Sequence, residues 1–467
     1  MFASIANTFS NCFKIPELKS RILFTMLVLA ICRLAAYIRV PGLDGAALSE
    51  YFKHIGSSGS SVVGMYSLFT GGALENCAVG ALGITPYISA TIVIQLLTAV
   101  VPSLSKLARE EGGRTKIIKY SRYLTVILCL GYSFAMAIGW ENPETTFPGF
   151  AGKLVLYHSI WWYRIQTILI LTTGTTLLMW LGEQITERGI GNGVSLIITI
   201  GILARLPAAG QNLIDMFFPG KGVESHFNIG HAFLLVGLLV IVVGGVIAVT
   251  QAQRKIPVQY AQRAVGRKVY SGGTSFLPLR LNFAGVMPII FAGAILMLPQ
   301  KAFQLIGTNY NITFLKRIAT ALNEGTVVYL TIYGLMILFF SYFWTATQFN
   351  ELQIADDLKK NGGYVPGVRP GQATSNFLHN AMSRITLAGA LFLTVIAVIP
   401  IILARVLGIP YQVATFFGGT SMLIVVGVLL DTMRQMESHL VMRNYDGFLK
   451  SGRGGRGGSG PRLKGRL

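Results

Sequence analysis

The sequence predicts an all-α polytopic membrane protein, and three observations carry that prediction. Apolar residues make up 52% of the 467-residue chain and charged residues only 12%, about half the share of roughly 25% usual in soluble domains. The apolar residues gather in runs near the ~20 residues a helix needs to cross a bilayer. Mean hydropathy is +0.57 and yet the net charge is +20, so basic connections must join apolar segments. A soluble enzyme of this size needs more charge to cover its surface, and that class is set aside.

The candidate spans are, in order, 22–38, 77–100, 118–139, 161–182, 190–206, 231–252, 284–300, 327–347, 384–405 and 411–433, ten in all. The first begins near Ile22 with no small-residue cleavage site after it. It reads as a retained span rather than a signal peptide. Directly before the second lies SVVGMYSLFTGGALEN, 61–76, apolar but too short and glycine-rich to cross. It reads as a re-entrant segment held inside protein on the external side, or as an amphipathic helix on the membrane surface. The fifth span is short and follows the fourth across EQITERGIGN.

Two connections are long and patterned. The segment 251–282 alternates apolar and basic residues around Pro257, Gly272-Gly273 and Pro278, the mark of a protruding hairpin. The segment 349–378 has a short helix pattern, with Asp356-Asp357 ahead of Lys359-Lys360, then a Gly-Gly stop and the turn VPGVRPG. Ordered, charged loops of this kind carry function more often than plain tethers do; the plainer reading is a solvated connector made basic for topology. The tail SGRGGRGGSGPRLKGRL is low-complexity and cationic. It resembles an RGG-type nucleic-acid binder, and attraction to anionic lipid or ribosomal RNA is the duller, preferred reading.

Charge orients the layout. With both termini cytosolic, the cytosolic segments hold 28 Lys and Arg against 10 outside, with Arg33 inside the first span. That asymmetry follows the positive-inside rule, and an odd number of spans would put the basic tail on the wrong side. Arg33 and Asp431 are the main ionisable groups inside or near the ends of spans. Such a group costs at least ~2.5–3.5 kcal/mol in the bilayer centre, so Arg33 either has a role there or snorkels to the external interface.

Enzymatic chemistry has no visible seat. The chain has no HExxH, GxxxxGK[ST] or GxSxG string and no paired carboxylates within a span, and its six histidines (54, 158, 226, 231, 379 and 439) show no ligand spacing. Cys12, Cys32, Cys77 and Cys129 form no CxxC pair and read as small buried residues. No cofactor or metal is expected. Pro86 and Pro288 interrupt spans at corresponding places in the two halves. They leave open a secondary transporter with broken helices, although solute transport has no need of the basic loops.

Several strings together resemble the SecY family, the central subunit of the bacterial protein-translocation channel. They run from RLAAYIRVPGLD through LFTGGALENCAVGALGITPYISATIVIQLL and LAREEGGRTKIIKYSRYLT to WLGEQITERGIGNGVSLII. RKIPVQYAQR, LPLRLNFAGVMPIIFAGAIL, IADDLKKNGGYVPGVRPGQAT, RITLAGALFL and FGGTSMLIVVGVLLDTM follow in the family's order. The resemblance implies ten transmembrane helices in two pseudo-symmetric halves around a central pore, with a re-entrant plug helix. The halves would be 22–206 and 231–433, joined by an external hinge loop 207–230, with a cytosolic segment 1–21 and a basic cytosolic tail 434–467.

The same resemblance implies site residues. The plug would be 61–76, with Tyr66, Leu68, Phe69, Gly71 and Gly72. The pore ring would comprise Ile84, Ile88, Val194, Ile198, Ile290 and Ile424, a narrow apolar collar that dewets and blocks ions. Ile84 and Ile88, like Val194 and Ile198, stand four apart on one helix face. Val194 departs from an all-isoleucine ring, and Phe283 stands where the family often has a polar residue. Arg254, Lys255 and Arg369 fall at positions tied to docking of the SecA ATPase or the ribosome. Other implied partners are SecE-like and SecG-like small membrane subunits, the translocating polypeptide with its signal sequence, and anionic lipid. The implied setting is the bacterial inner membrane, with a lateral gate between the second and seventh spans.

Overall fold

The computed structural model describes residues 15–55, 70–110, 112–143, 150, 152–217, 229–260, 263–265, 268–270, 273–309, 312–323, 326–406 and 420–451. Cys12, most of the 61–76 segment, Tyr66, Leu68 and Phe69 among it, and the glycine- and arginine-rich end of the tail lie outside the described residues.

The first part of the chain forms α1 (Pro16–Leu34), α2 (Gly45–Ile55), α3 (Thr85–Val100), α4 (Pro102–Arg109), α5 (Gly113–Glu141), α6 (Ile160–Arg188), α7 (Gly193–Leu203) and α8 (Leu206–Phe217). The second forms α9 (Ile229–Gln251), a hairpin region, α10 (Met287–Asn309), α11 (Thr313–Ala321), α12 (Val327–Gln348), α13 (Glu351–Lys360), α14 (Gln372–Val406) and α15 (Thr420–Ser451). Valine- and isoleucine-rich runs such as that of α9 go helical because lipid offers the backbone no hydrogen-bond partner but itself. Hydroxyls within the spans donate to the carbonyl one turn back, as Thr125 does to Ser121, Thr199 to Ser195 and Ser341 to Ile337. That bond satisfies a polar group at apolar depth.

Each of the ten apolar stretches carries a helix. Among the described residues, six helical stretches are long and apolar enough to cross a membrane, or seven if α3 and α4, bent by 104°, form one broken span. Helices α1, α10 and α15 cover the remaining three stretches, a set consistent with ten crossings of a multi-pass membrane protein.

Three boundaries differ from expectation. The second span is helical only from Thr85, because residues 71–84 form turns. Gly71, Gly72, Gly83 and even Cys77 take positive φ there, which no α-helix allows. These turns survive at depth because their backbone bonds to protein: Val40 N–H donates to Cys77, Val79 N–H to Ile38 and Gly80 N–H to Ala35. Pro86 and Pro288 sit in the first turn of α3 and α10 rather than interrupting a helix, where their missing N–H was never part of the ladder. These two prolines therefore give the transporter reading no support. Finally, α15 continues from the tenth span as far as Ser451, so no structural break falls at 434.

The hairpin is present. Strand β1 (Gln253–Tyr260) pairs antiparallel with β4 (Thr274–Arg280), with β2 (Arg263–Val265) and β3 (Lys268–Tyr270) forming a smaller ribbon between them. On β1, Ile256 and Val258 are buried and their neighbours exposed, the alternation of a half-buried strand. Strand β5 (Gly363–Tyr364) joins the other side of β1 through Gln259 and Tyr260. The two patterned connections are therefore one structure. It rests on Ile256, Leu279, Phe349, Val365 and Leu378, packed against the base of α14.

The free thiols of Cys32, Cys77 and Cys129 are buried. One large apolar cluster joins α1, α3, α6 and α7 to α9, α10, α12, α14 and α15. A second cluster, around Val40, Leu74, Trp140 and Tyr163, belongs to the first part alone.

Candidate functional site

Where the two parts of the chain meet, α3 lies against α10, α7 against α15, and α10 against α15. The six predicted collar residues come from these four helices. Ile84 stands at the cap of α3, where its carbonyl accepts the N–H groups of Tyr87 and Ile88. Ile88 follows one turn later. Val194 and Ile198 lie in the first two turns of α7, Ile290 in the first turn of α10 and Ile424 in the first turns of α15. Ile84, Ile88, Ile198, Ile290 and Ile424 are buried members of the shared cluster, and Val194 packs against it half-buried.

Local chemistry sets the start of α7. The Asn192 side chain accepts from the N–H groups of Val194 and Ser195, at 3.1 and 3.3 Å, the usual satisfaction of orphan donors at an N-cap. Gly191, at φ +90°, makes the turn and donates its N–H to Gln435 of α15. Glycines let α6 and α7 meet closely: a Cβ on Gly193 would stand 1.8 Å from the Gly182 carbonyl oxygen, and one on Gly182 would touch Ile84, Val194 and Ile197. Gly193→Ala is therefore expected to cost about 1–3 kcal/mol by overpacking against rigid backbone. Thermal unfolding of the purified protein checks this, and an unchanged midpoint would mean that α7 is free to shift.

Ion pairs brace the first part. Arg122 of α5 pairs with Glu183 of α6 at 2.8 Å, and Arg164 of α6 pairs with Glu141 of α5 at 2.8 Å through both nitrogens and both oxygens. The Arg33 side chain, half-buried, has partners within the protein. It donates from Nη1 to the Gly71 carbonyl at 3.0 Å and lies 5.5 Å from the Tyr37 ring centre. Of the residues named for the expected plug, Gly71 and Gly72 are described, and both are buried. Beside them Arg205, just past α7, pairs with Glu75. A cavity of about 30 Å³, room for a water molecule, opens among Cys32, Arg33, Thr70, Gly83, Ile84 and Gly201.

The docking candidates stand apart from this centre. Arg254 and Lys255 are exposed on β1 and Arg369 is exposed beyond β5. β5 pairs with the far end of β1, at Gln259 and Tyr260, so the strand that carries Arg254 and Lys255 and the loop that carries Arg369 belong to one substructure. Gly367 and Gly371 flank Arg369 at φ +81° and +102°, and the Arg369 carbonyl accepts the Thr374 hydroxyl at 2.9 Å. Phe283 lies just before α10, edge-on to Phe349 at 5.8 Å between ring centres.

Sequence reasoning missed Glu75 as the partner of Arg205 and missed Glu183 as the partner of Arg122. The only available signal was the rarity of carboxylates near spans, since the partners lie 130 and 61 residues apart.

These features define a class: helical membrane proteins whose two parts pack around a common apolar centre, with an irregular segment folded in from one side. A family model described as SecY matches residues 78–433. The chain is 42% identical to the protein translocase subunit SecY of Chlamydia trachomatis over 453 residues, 96% of this chain and 98% of the relative. It is also 42% identical to that of Escherichia coli K12 over 436 residues, 93% of this chain and 94% of the relative. Its fold resembles the solved structure described as "The structure of a protein conducting channel", with TM-score 0.57 and 16% identity over 90% of this chain and 92% of that one. "Sec61 in the Canine ribosome-channel complex from the endoplasmic reticulum" gives the same TM-score, identity and coverage. The chain belongs to the SecY family.

Proposed function

We propose that the chain is a protein-conducting channel, passing unfolded secretory polypeptides across the membrane and releasing apolar segments sideways between the spans of α3 and α10. The observation that supports this reading is that Ile84, Ile88, Val194, Ile198, Ile290 and Ile424, from four helices of both parts, all belong to or pack against one apolar cluster that spans the two parts. A narrow aliphatic constriction excludes water and ions when closed. It also yields to passing side chains without favouring any one of them, because it offers no directional bond.

In this reading the six residues are the collar and 61–76 is the plug on its external side. The hairpin and the 349–378 loop receive the SecA ATPase or the ribosome through Arg254, Lys255 and Arg369. SecE-like and SecG-like subunits complete the complex. The setting is a bacterial inner membrane with both termini cytosolic, which the surplus of basic residues on one side supports. The protein does no chemistry of its own, and its driver is a partner or the membrane potential.

The test is transport of a signal-bearing polypeptide into vesicles that hold the full chain with its small subunits and motor. Uptake that depends on the signal is expected; uptake of a small solute with no polypeptide transport would overturn the reading. Deleting residues 61–73 should leave a folded protein that leaks ions, since only the collar then seals the pore. Planar-bilayer conductance measures this, and an unchanged closed-state conductance would place the segment on the membrane surface instead.

A further inference from the structure

Two arginines of the first part, neither in the collar, converge on the backbone that leads into it. Arg33 sits in an apolar helix, where a charge persists only if something binds it. Its Nη1 donates to the carbonyl of Gly71 at 3.0 Å. Gly71, at φ +63°, has no alternative residue: a Cβ there would lie 2.4 Å from that same nitrogen and 2.8 Å from the Gly201 Cα of α7. Arg205, two residues beyond α7, pairs with Glu75. A Cβ on Gly72 would lie 3.2 Å from the Arg205 Nη2. Side-chain exposure of the Arg205–Glu75 pair is 14% and 19%, so salt screens it far less than a surface pair.

The Thr70–Glu75 stretch is thus held from two sides, by α1 through Arg33 and by the end of α7 through Arg205. The stretch is also coupled to the collar. Gly83, at φ +59°, packs on Thr70, where its Cβ would stand 3.2 Å from Thr70 Cγ2, and the next residue is Ile84. A shift of Thr70 therefore reaches the first collar residue through one contact.

We propose that Arg33 and Arg205 are positioning residues of the channel: a two-point clamp that fixes Thr70–Glu75 in the closed arrangement and so sets how stringently the channel demands a signal sequence. This rests on the channel reading above. The two points differ in kind. At Gly71 the acceptor is a carbonyl, reached by a guanidinium aimed across the helix; at Glu75 it is an opposite charge, for which sign decides.

The experiment uses cells that depend on the full chain and measures export of two reporters, one with an intact signal and one with a defective signal, together with the abundance of the channel. The variants are Arg33→Gln, Arg205→Gln, Glu75→Gln, and the double exchange Arg205→Glu with Glu75→Arg. Each single variant removes a charge-assisted bond made in the closed arrangement. Each is expected to raise export of the defective-signal reporter about tenfold to a hundredfold at normal abundance, and the double exchange should return it toward the wild-type level. Wild-type stringency in all three single variants would overturn the clamp. So would a fall in abundance with no gain in defective-signal export, the signature of a merely structural role. Failure of the wild-type chain to export even the intact-signal reporter would instead bring down the channel reading, and the clamp with it.

Discussion

Arg369→Glu is expected to abolish partner-driven translocation while leaving stability within about 0.5 kcal/mol of wild type, the usual range for an exposed loop substitution. The backbone at Arg369 is restrained by the fixed φ of Pro370 and by the Thr374 hydroxyl, which donates to the Arg369 carbonyl, with turns at Gly367 and Gly371 on either side. The guanidinium itself is exposed. A rigid stalk with a free head suits a specific contact, since little entropy is lost when a partner binds it. Arg254 and Lys255 lie on the strand that β5 joins, so in the proposed docking role a partner that reaches this substructure meets positive charge, which an acidic patch would complement. Reversing the Arg369 charge would set like charges together against such a patch, which costs several kcal/mol at an interface, or a loss of two to three orders of magnitude in partner affinity. Arg369→Lys separates charge from shape: it keeps the charge and loses the planar fork, so it should retain part of the activity. Translocation into vesicles, measured beside the thermal midpoint, checks both variants. Normal SecA-dependent transport by Arg369→Glu would remove the docking role from this loop.

The hairpin and the short helix α13 were legible because local rules specify them. Alternation of Ile256 and Val258 with exposed neighbours is a strand signal, and Asn350 caps α13 through the Gln353 N–H with Glu351 at its start and Lys359 and Lys360 at its end. The apolar runs were legible for a stronger reason, since lipid leaves the backbone no choice. The irregular stretch before Thr85 was not. Hydropathy reads the apolar character of ALENCAVGALG and is blind to φ, whereas the turn depends on bonds to Ala35, Ile38 and Val40 more than thirty residues earlier.

The site divides in the same way. That Ile84 and Ile88 share a helix face follows from spacing, but that they join one apolar cluster with Ile290 and Ile424 depends on the packing of α3 against α10 and α10 against α15. Nothing local encodes that packing, and only the family resemblance assembled the six. Arg33 stood out from sequence as costly, yet its partner is a backbone carbonyl, and a carbonyl has no signature in a sequence at all.

Ile424→Asn is expected to favour the open channel and relax signal selectivity. Ile424 is fully buried in the shared cluster, and α15 is locked to α10 nearby, where a Cβ on Gly427 would stand 2.1 Å from Val286 Cγ1. An asparagine amide brings two donors and an acceptor into aliphatic surroundings. Burying them unpaired costs roughly 1–3 kcal/mol. If the centre is a collar, opening wets it and the amide regains its hydration, so the open state carries no such penalty. The equilibrium then moves by the whole difference, about five- to a hundredfold in open population at 1.4 kcal/mol per factor of ten. If the centre is instead permanent packing, the same penalty falls on the folded protein and appears as lost stability and yield. Export of a reporter with a defective signal, read against channel abundance, separates the two. Enhanced export at normal abundance is the expected result, and lost abundance without enhanced export would make Ile424 a core isoleucine and no part of a pore.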